Sequence, residues 1–132
     1  MRKMTILLVE EARWASDKEL RNSLKNSPQI DIISGGFEKA AEFIGSWDVD
    51  CVVIDACRGP NRQVSTESEA REIRKMFKGK LIAISDIPFS RIPLKRACCQ
   101  YDCSKGRLAE LLIHLSQQSP ENQAGKKLSA VA

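Results

Sequence analysis

The chain has 132 residues, 42% of them hydrophobic, which suits one compact domain with a real core and is short for two. Its longest apolar stretches, at 6–9 and 51–54, are strand-sized and far below the ~20 residues of a membrane-spanning helix, so no membrane association is expected. The formal charge of +4 is spread along the chain and aromatics make up 5% of it, a pattern that argues against direct nucleic-acid binding and points only weakly to acidic partners.

Residues 5–9 form a continuous apolar run that stops at Glu10 and Glu11, as expected of a first strand buried on both faces. Ser16 followed by Glu19 reads as a capping box for a first helix over about 14–26. A short second strand is expected at 30–33, ended by Gly35 and Gly36, and then Phe37, Ala40, Ala41 and Ile44 recur at helical spacing. Residues 51–54 are the most strand-like run and lead to Asp55, before a loop over 56–60. Thr66 and Glu69 predict a second capping box, with Ala70, Ile73 and Phe77 on one helical face. Residues 81–84 predict a fourth strand ending at Ser85. Pro88 and Pro93 argue against one uninterrupted helix over 86–97, so a loop and a short helix from about Pro93 are expected. A weak fifth strand near 98–103 precedes Lys105 and a last helix with Leu108, Leu111, Leu112 and Leu115 on one face. The folded domain is expected to span 1–116, with 117–132 a polar tail or linker.

Five strands alternating with helices through short loops call for an α/β fold, a doubly wound five-stranded parallel sheet. Function in such sheets collects outside the carboxyl ends of the strands. Glu10, Glu11, Asp55, Ser85 and Lys105 all fall there. Three acids, a hydroxyl and an amine on one rim could hold a divalent cation and a phosphoryl group, with Asp55 as a nucleophile toward phosphorus. Each residue alone also has a plainer reading: Asp55 as a loop cap, the glutamates and Lys105 as solvated residues, Ser85 as a turn residue. Their convergence favours a site.

The segments Ile6-Leu7-Leu8-Val9-Glu10-Glu11, Val52-Val53-Ile54-Asp55, Leu81-Ile82-Ala83-Ile84-Ser85 and Tyr101-Asp102-Cys103-Ser104-Lys105 resemble, in order and interval, the receiver domains of bacterial response regulators. The resemblance covers about residues 4–116 and implies strand order 2-1-3-4-5. It also implies Glu10 and Glu11, with Asp55, as Mg²⁺ ligands, Asp55 as phosphoacceptor, Ser85 as the switch hydroxyl and Lys105 as the partnering lysine. The implied partner is a histidine kinase or phosphotransfer protein, with the face of the fourth helix, fifth strand and fifth helix available for a homodimer. The implied role is regulatory, not enzymatic.

Four departures accompany the resemblance. Receivers usually carry at least one aspartate in the acidic pair, a small residue where Asp86 stands, an aromatic where Asp102 stands, and a proline where Gly106 stands. Either Tyr101 takes the aromatic's role after a one-residue shift or that switch is absent. A second reading follows, a pseudo-receiver that docks or dimerises without phosphorylation. A small flavodoxin-like or hydrolase-like enzyme is poorer still, since no Gly-rich phosphate loop follows the first strand and no Ser/His/Asp set is visible.

Five cysteines, at 51, 57, 98, 99 and 103, read as free thiols serving as small apolar side chains. Cys98, Cys99 and Cys103 lack a second ligand pair at zinc-like spacing, and the single histidine, His114, lies on an apolar helical pattern. The N-terminus shows no secretory pattern, so a cytoplasmic protein is expected.

Overall fold

The computed structural model describes residues 3–118. Of the expected tail, only Gln117 and Gln118 fall among them, and 119–132 lie outside the described residues. Five parallel strands form the main sheet: β1 (Met4–Val9), β2 (Ile30–Gly35), β3 (Cys51–Asp55), β6 (Lys80–Ile84) and β7 (Tyr101–Cys103), in the order β2-β1-β3-β6-β7. This is the expected 2-1-3-4-5 arrangement. Two short strands, β4 (Cys57–Arg58) and β5 (Val64–Ser65), pair antiparallel as a separate hairpin.

Alternation along the central strands divides the core into two layers. Leu7, Val9, Val52, Ile54, Leu81 and Ala83 face one side, where Ala40 of α2 (Ala40–Ser46), Ala70 and Ile73 of α3 (Glu67–Met76) and Leu94 of α4 (Pro88–Ala97) cover them. Ile6, Leu8, Cys51, Val53, Ile82 and Ile84 face the other, under Leu20 of α1 (Asp17–Ser23) and Leu108, Leu112 and Leu115 of α5 (Leu108–Ser116). Strands covered on both faces need apolar residues at every position, which explains the unbroken runs at 6–9 and 51–54. Among the described residues, no helix is long and apolar enough to cross a membrane.

Several boundaries differ from the sequence reading, each for a local reason. β2 runs two residues past Ile33 and ends at Gly35, where the glycines are expected to stop it; a Cβ there would stand 2.5 Å from the Phe43 ring, so the glycine also permits a close approach. α4 starts at Pro88 and runs through Pro93. Pro88 occupies the first turn, where its missing N–H costs nothing. Pro93 leaves the Phe89 carbonyl without its helical partner, but Phe89 is 82% exposed and water can satisfy that carbonyl, while Leu94 anchors the opposite face.

α1 spans Asp17–Ser23, preceded by a 3₁₀ turn at Ala12–Trp14. Neither Ser16 nor Thr66 caps its helix through its side chain. Both hydroxyls are spent on strand ends instead: Ser16 Oγ donates to the Glu10 carboxylate, at 3.0 Å from Oε2, and Thr66 Oγ1 donates to the Asp55 carbonyl at 2.7 Å. Two helices are thereby tied to the rim where the acids sit. Thr66 is fully buried, so replacing it by the isosteric valine strands a carbonyl without its donor. Thr66→Val is expected to lower stability by roughly 1–3 kcal/mol in urea denaturation while leaving the far-ultraviolet circular dichroism unchanged.

Candidate functional site

Asp55 closes the most buried strand of the sheet and is 1% exposed. A carboxylate so deeply placed needs charged or hydrogen-bonding partners. Its Oδ1 accepts the Cys57 N–H at 3.3 Å, and its Oδ2 lies 3.3 Å from Lys105 Nζ and 3.7 Å from Arg62 Nη2. Lys105 comes from the turn between β7 and α5, Arg62 from the tip of the β4–β5 hairpin. Two cations from separate loops thus meet one carboxylate oxygen.

Glu10 follows β1 and is 5% exposed. Its carboxylate accepts the Ser16 N–H and the Ser16 hydroxyl, and Oε2 stands 4.0 Å from Lys105 Nζ. Burial raises its pKa above the ordinary 4.5, and the Asp55 charge adds to that, while the Ser16 hydrogen bonds and Lys105 act in the opposite sense. Glu11 points elsewhere: Oε1 accepts the Gly59 N–H and Oε2 lies 3.4 Å from Arg13 Nε.

The hairpin is clasped to the β1–α1 segment through Gly59. Its N–H goes to Glu11, and its carbonyl accepts Trp14 Nε1–H at 3.0 Å and the Arg62 N–H at 3.1 Å. Gly59 has φ +98°, a conformation that glycine adopts freely. Arg62, at φ 54°, is the one described non-glycine residue with positive φ, and its guanidinium lies over the Trp14 ring at 4.7 Å.

Ser85 is buried at the end of β6, adjacent to Ile84, which pairs with Asp55 across the sheet. Its Oγ accepts the Ile87 N–H at 3.1 Å and its N–H donates to the Cys103 carbonyl at 3.2 Å. Asp86 does not face Asp55 as a free acid. It accepts the Lys105 N–H at 3.0 Å and so tethers the turn that carries the lysine. Asp102 is paired with Arg91 at 3.4 Å and Lys95 at 3.6 Å, joining β7 to α4, while Tyr101 packs half-buried in the layer under α1 and α5.

Lys105 therefore draws Asp55 and Glu10 together, Ser85 lies on the same rim, and Glu11 turns to the hairpin. The sequence does not mark Arg62, Trp14 or Gly59 as site residues, and it marks Ser16 only as a helix cap, not as the partner of Glu10. Glycine within a polar stretch was the only available signal for the hairpin.

As they stand, the acids do not fit a Mg²⁺ site. Among the described residues, no three His, Cys, Asp or Glu side chains are placed to hold a metal ion. Glu10, Glu11 and Asp55 each face a base, drawn from Arg13, Arg62 and Lys105. Burial also pushes Cys51 and Cys99 up to about 12 and Cys103 to about 11, so these thiols stay protonated at neutral pH.

No protein-family model matches the sequence, and no curated protein matches it. Solved structures do resemble it. A two-component response regulator from Clostridium difficile superposes with a TM-score of 0.67 at 15% identity, over 85% of this chain and 91% of that one. The receiver domain of a sensor histidine kinase from Pseudomonas aeruginosa, with a magnesium ion coordinated in its active-site cleft, gives 0.66 at 20% identity over 87% and 95%. The signal receiver domain of an HD domain-containing protein from Pseudomonas fluorescens gives 0.69 at 19% identity over 96% and 93%. The fold is that of receiver domains.

The raised pKa of Glu10 sets a sign for the pH dependence of stability. A carboxylate whose folded pKa lies above its unfolded value favours the native state when protonated, and this contribution is lost as pH rises through the folded pKa. Glu10→Gln removes that penalty. The stability of the variant relative to wild type is expected to grow as pH rises above 4.5, measured by denaturant unfolding between about pH 4 and pH 7; a difference that stays flat or shrinks contradicts the assignment.

Proposed function

We propose that this chain is a regulatory receiver-type module, not an enzyme, whose output is contact with another protein, and that its resting Asp55 pocket is closed, so that docking does not depend on phosphorylation. The observation that carries this reading is the state of Asp55: 1% exposed, with Cys57 N–H on one oxygen and Lys105 and Arg62 on the other. A phosphoryl donor would have to displace the Arg62 guanidinium from beside Oδ2.

Exposed apolar residues support a docking role. Ile87, Phe89 and Ile92, at 57%, 82% and 40% exposure, lie together where α4 begins. Such residues on a solvent-facing helix start favour a protein partner, and a second copy of the chain, packed through α4, β7 and α5, is the partner proposed. Phe89→Ser, an exposed position outside the core, is expected to weaken self-association in sedimentation equilibrium without lowering thermal stability. Monomeric wild-type protein at high concentration would remove the homodimer from the proposal.

The second reading, phosphorylation of Asp55 by a histidine kinase or phosphotransfer protein, is favoured by the 3.3 Å contact between Lys105 and Asp55, since an ammonium there can neutralise charge developing on a transferred group. Incubation with acetyl phosphate and Mg²⁺ followed by intact mass separates the two. The closed-pocket reading expects the unmodified mass. An adduct that vanishes in Asp55→Asn would establish the phosphoacceptor role instead.

A further inference from the structure

The guanidinium of Arg62 occupies the Asp55 pocket in a way that looks built. Arg62 takes a left-handed backbone conformation, which a long side chain adopts only when its surroundings compel it. The compulsion is visible. The Arg62 N–H closes a turn on the Gly59 carbonyl, that same carbonyl accepts the Trp14 indole N–H, the Gly59 N–H binds Glu11, and the Trp14 ring supports the guanidinium at 4.7 Å. Three residues, Gly59, Trp14 and Glu11, are used to place one cation 3.7 Å from Asp55 Oδ2, on the same oxygen as Lys105. Arg62 Nε is buried with no hydrogen-bond partner, so the group is held there at a cost and is not merely resting on the surface.

A divalent ion needs the opposite electrostatics. Mg²⁺ requires several hard oxygen ligands in near-octahedral geometry at about 2.0–2.1 Å, and it needs net negative charge around it. Here Asp55 and Glu10 share Lys105, Asp55 also has Arg62, and Glu11 is spent on Gly59 and Arg13. Adding a dication beside a guanidinium would set like charges against each other in a pocket of low effective dielectric.

We infer that Arg62 is the resident cation of the Asp55 pocket: it takes the place a divalent metal would need, and the pocket excludes Mg²⁺ while Arg62 is docked. The inference rests on the closed-pocket reading above, but it is tested by metal binding alone, with no phosphoryl donor or partner protein. Its failure and the failure of the docking role are therefore distinguishable.

The test titrates the 132-residue chain with Mg²⁺ by calorimetry, and with Mn²⁺ by the change in its electron spin resonance signal. Wild type is expected to show no saturable binding in the millimolar range. Arg62→Gln, which removes the charge and ends the side chain two atoms short of the guanidinium nitrogens, is expected to bind at least about tenfold more tightly, and Asp55→Asn added to it should abolish that gain. Equal affinity in wild type and Arg62→Gln would overturn the inference, as would an absence of binding in a folded Arg62→Gln. Should that variant fail to fold, wild type alone decides: the Trp14 indole N–H resonance, identified by its disappearance in Trp14→Phe, should hold its position through a Mg²⁺ titration. A saturable shift of that resonance would show the metal entering at the expense of the Arg62 clasp.

Discussion

The burial of the Asp55 carboxylate is the constraint on which the rim of this molecule depends. Asp55 pairs across the sheet with Ile84 and is 1% exposed. An ion in that position carries a desolvation cost of several kcal/mol unless it is matched by charge and hydrogen bonds. The chain matches it from three directions, through the Cys57 N–H, Lys105 and Arg62. Each of these has its own support. Asp86 holds the backbone N–H of Lys105, and Gly59 with Trp14 holds Arg62. Thr66 ties the start of α3 to the Asp55 carbonyl.

The paired glutamates acquire a physical meaning in this setting. A glutamate carries one methylene more than an aspartate, and both side chains use the extra reach to find a backbone N–H: Glu10 at Ser16, Glu11 at Gly59. The acids that could have converged on a cation diverge instead into the helix entry and the hairpin. Glu10 pays for its burial with a raised pKa and Glu11 becomes the anchor of the clasp. The Glu11 contact and the placing of Arg62 beside Asp55 belong together, because the hairpin that delivers Arg62 is the hairpin that Glu11 holds.

How far the sequence could disclose this follows from the range of each interaction. The sheet was legible because buried parallel strands such as 51–54 need apolar residues at every position, and their order came from the resemblance to receiver domains. Asp55 was legible as a charge ending such a run. Ser16 and Thr66 stand at the N-cap positions that their spacing indicates, but the capping-box pattern is local and does not disclose that their hydroxyls go to tertiary acceptors, the Glu10 carboxylate and the Asp55 carbonyl. Pro93 was read as a helix barrier although an exposed helix face can hydrate the carbonyl it strands. Arg62 was invisible, because two-residue strands such as Cys57–Arg58 have no periodicity to detect and a left-handed arginine announces itself only in coordinates.

The likeness to receiver domains, at 15–20% identity among the three structures described, also separates what the core specifies from what the rim does. Any set of apolar residues that keeps the two-layer alternation preserves the sheet, whereas the chemistry of the rim turns on a few side chains and can change without disturbing the fold. In this chain the rim remains mechanically joined to a surface. Ser85 accepts the Ile87 N–H, and Asp86, next along, accepts the Lys105 N–H. Two adjacent residues thus link the lysine beside Asp55 to the start of α4, where Ile87, Phe89 and Ile92 are exposed. These two hydrogen bonds form a contiguous route between the start of α4 and the lysine beside Asp55, and any coupling along it is reciprocal: a change at one end biases the other by the same free energy.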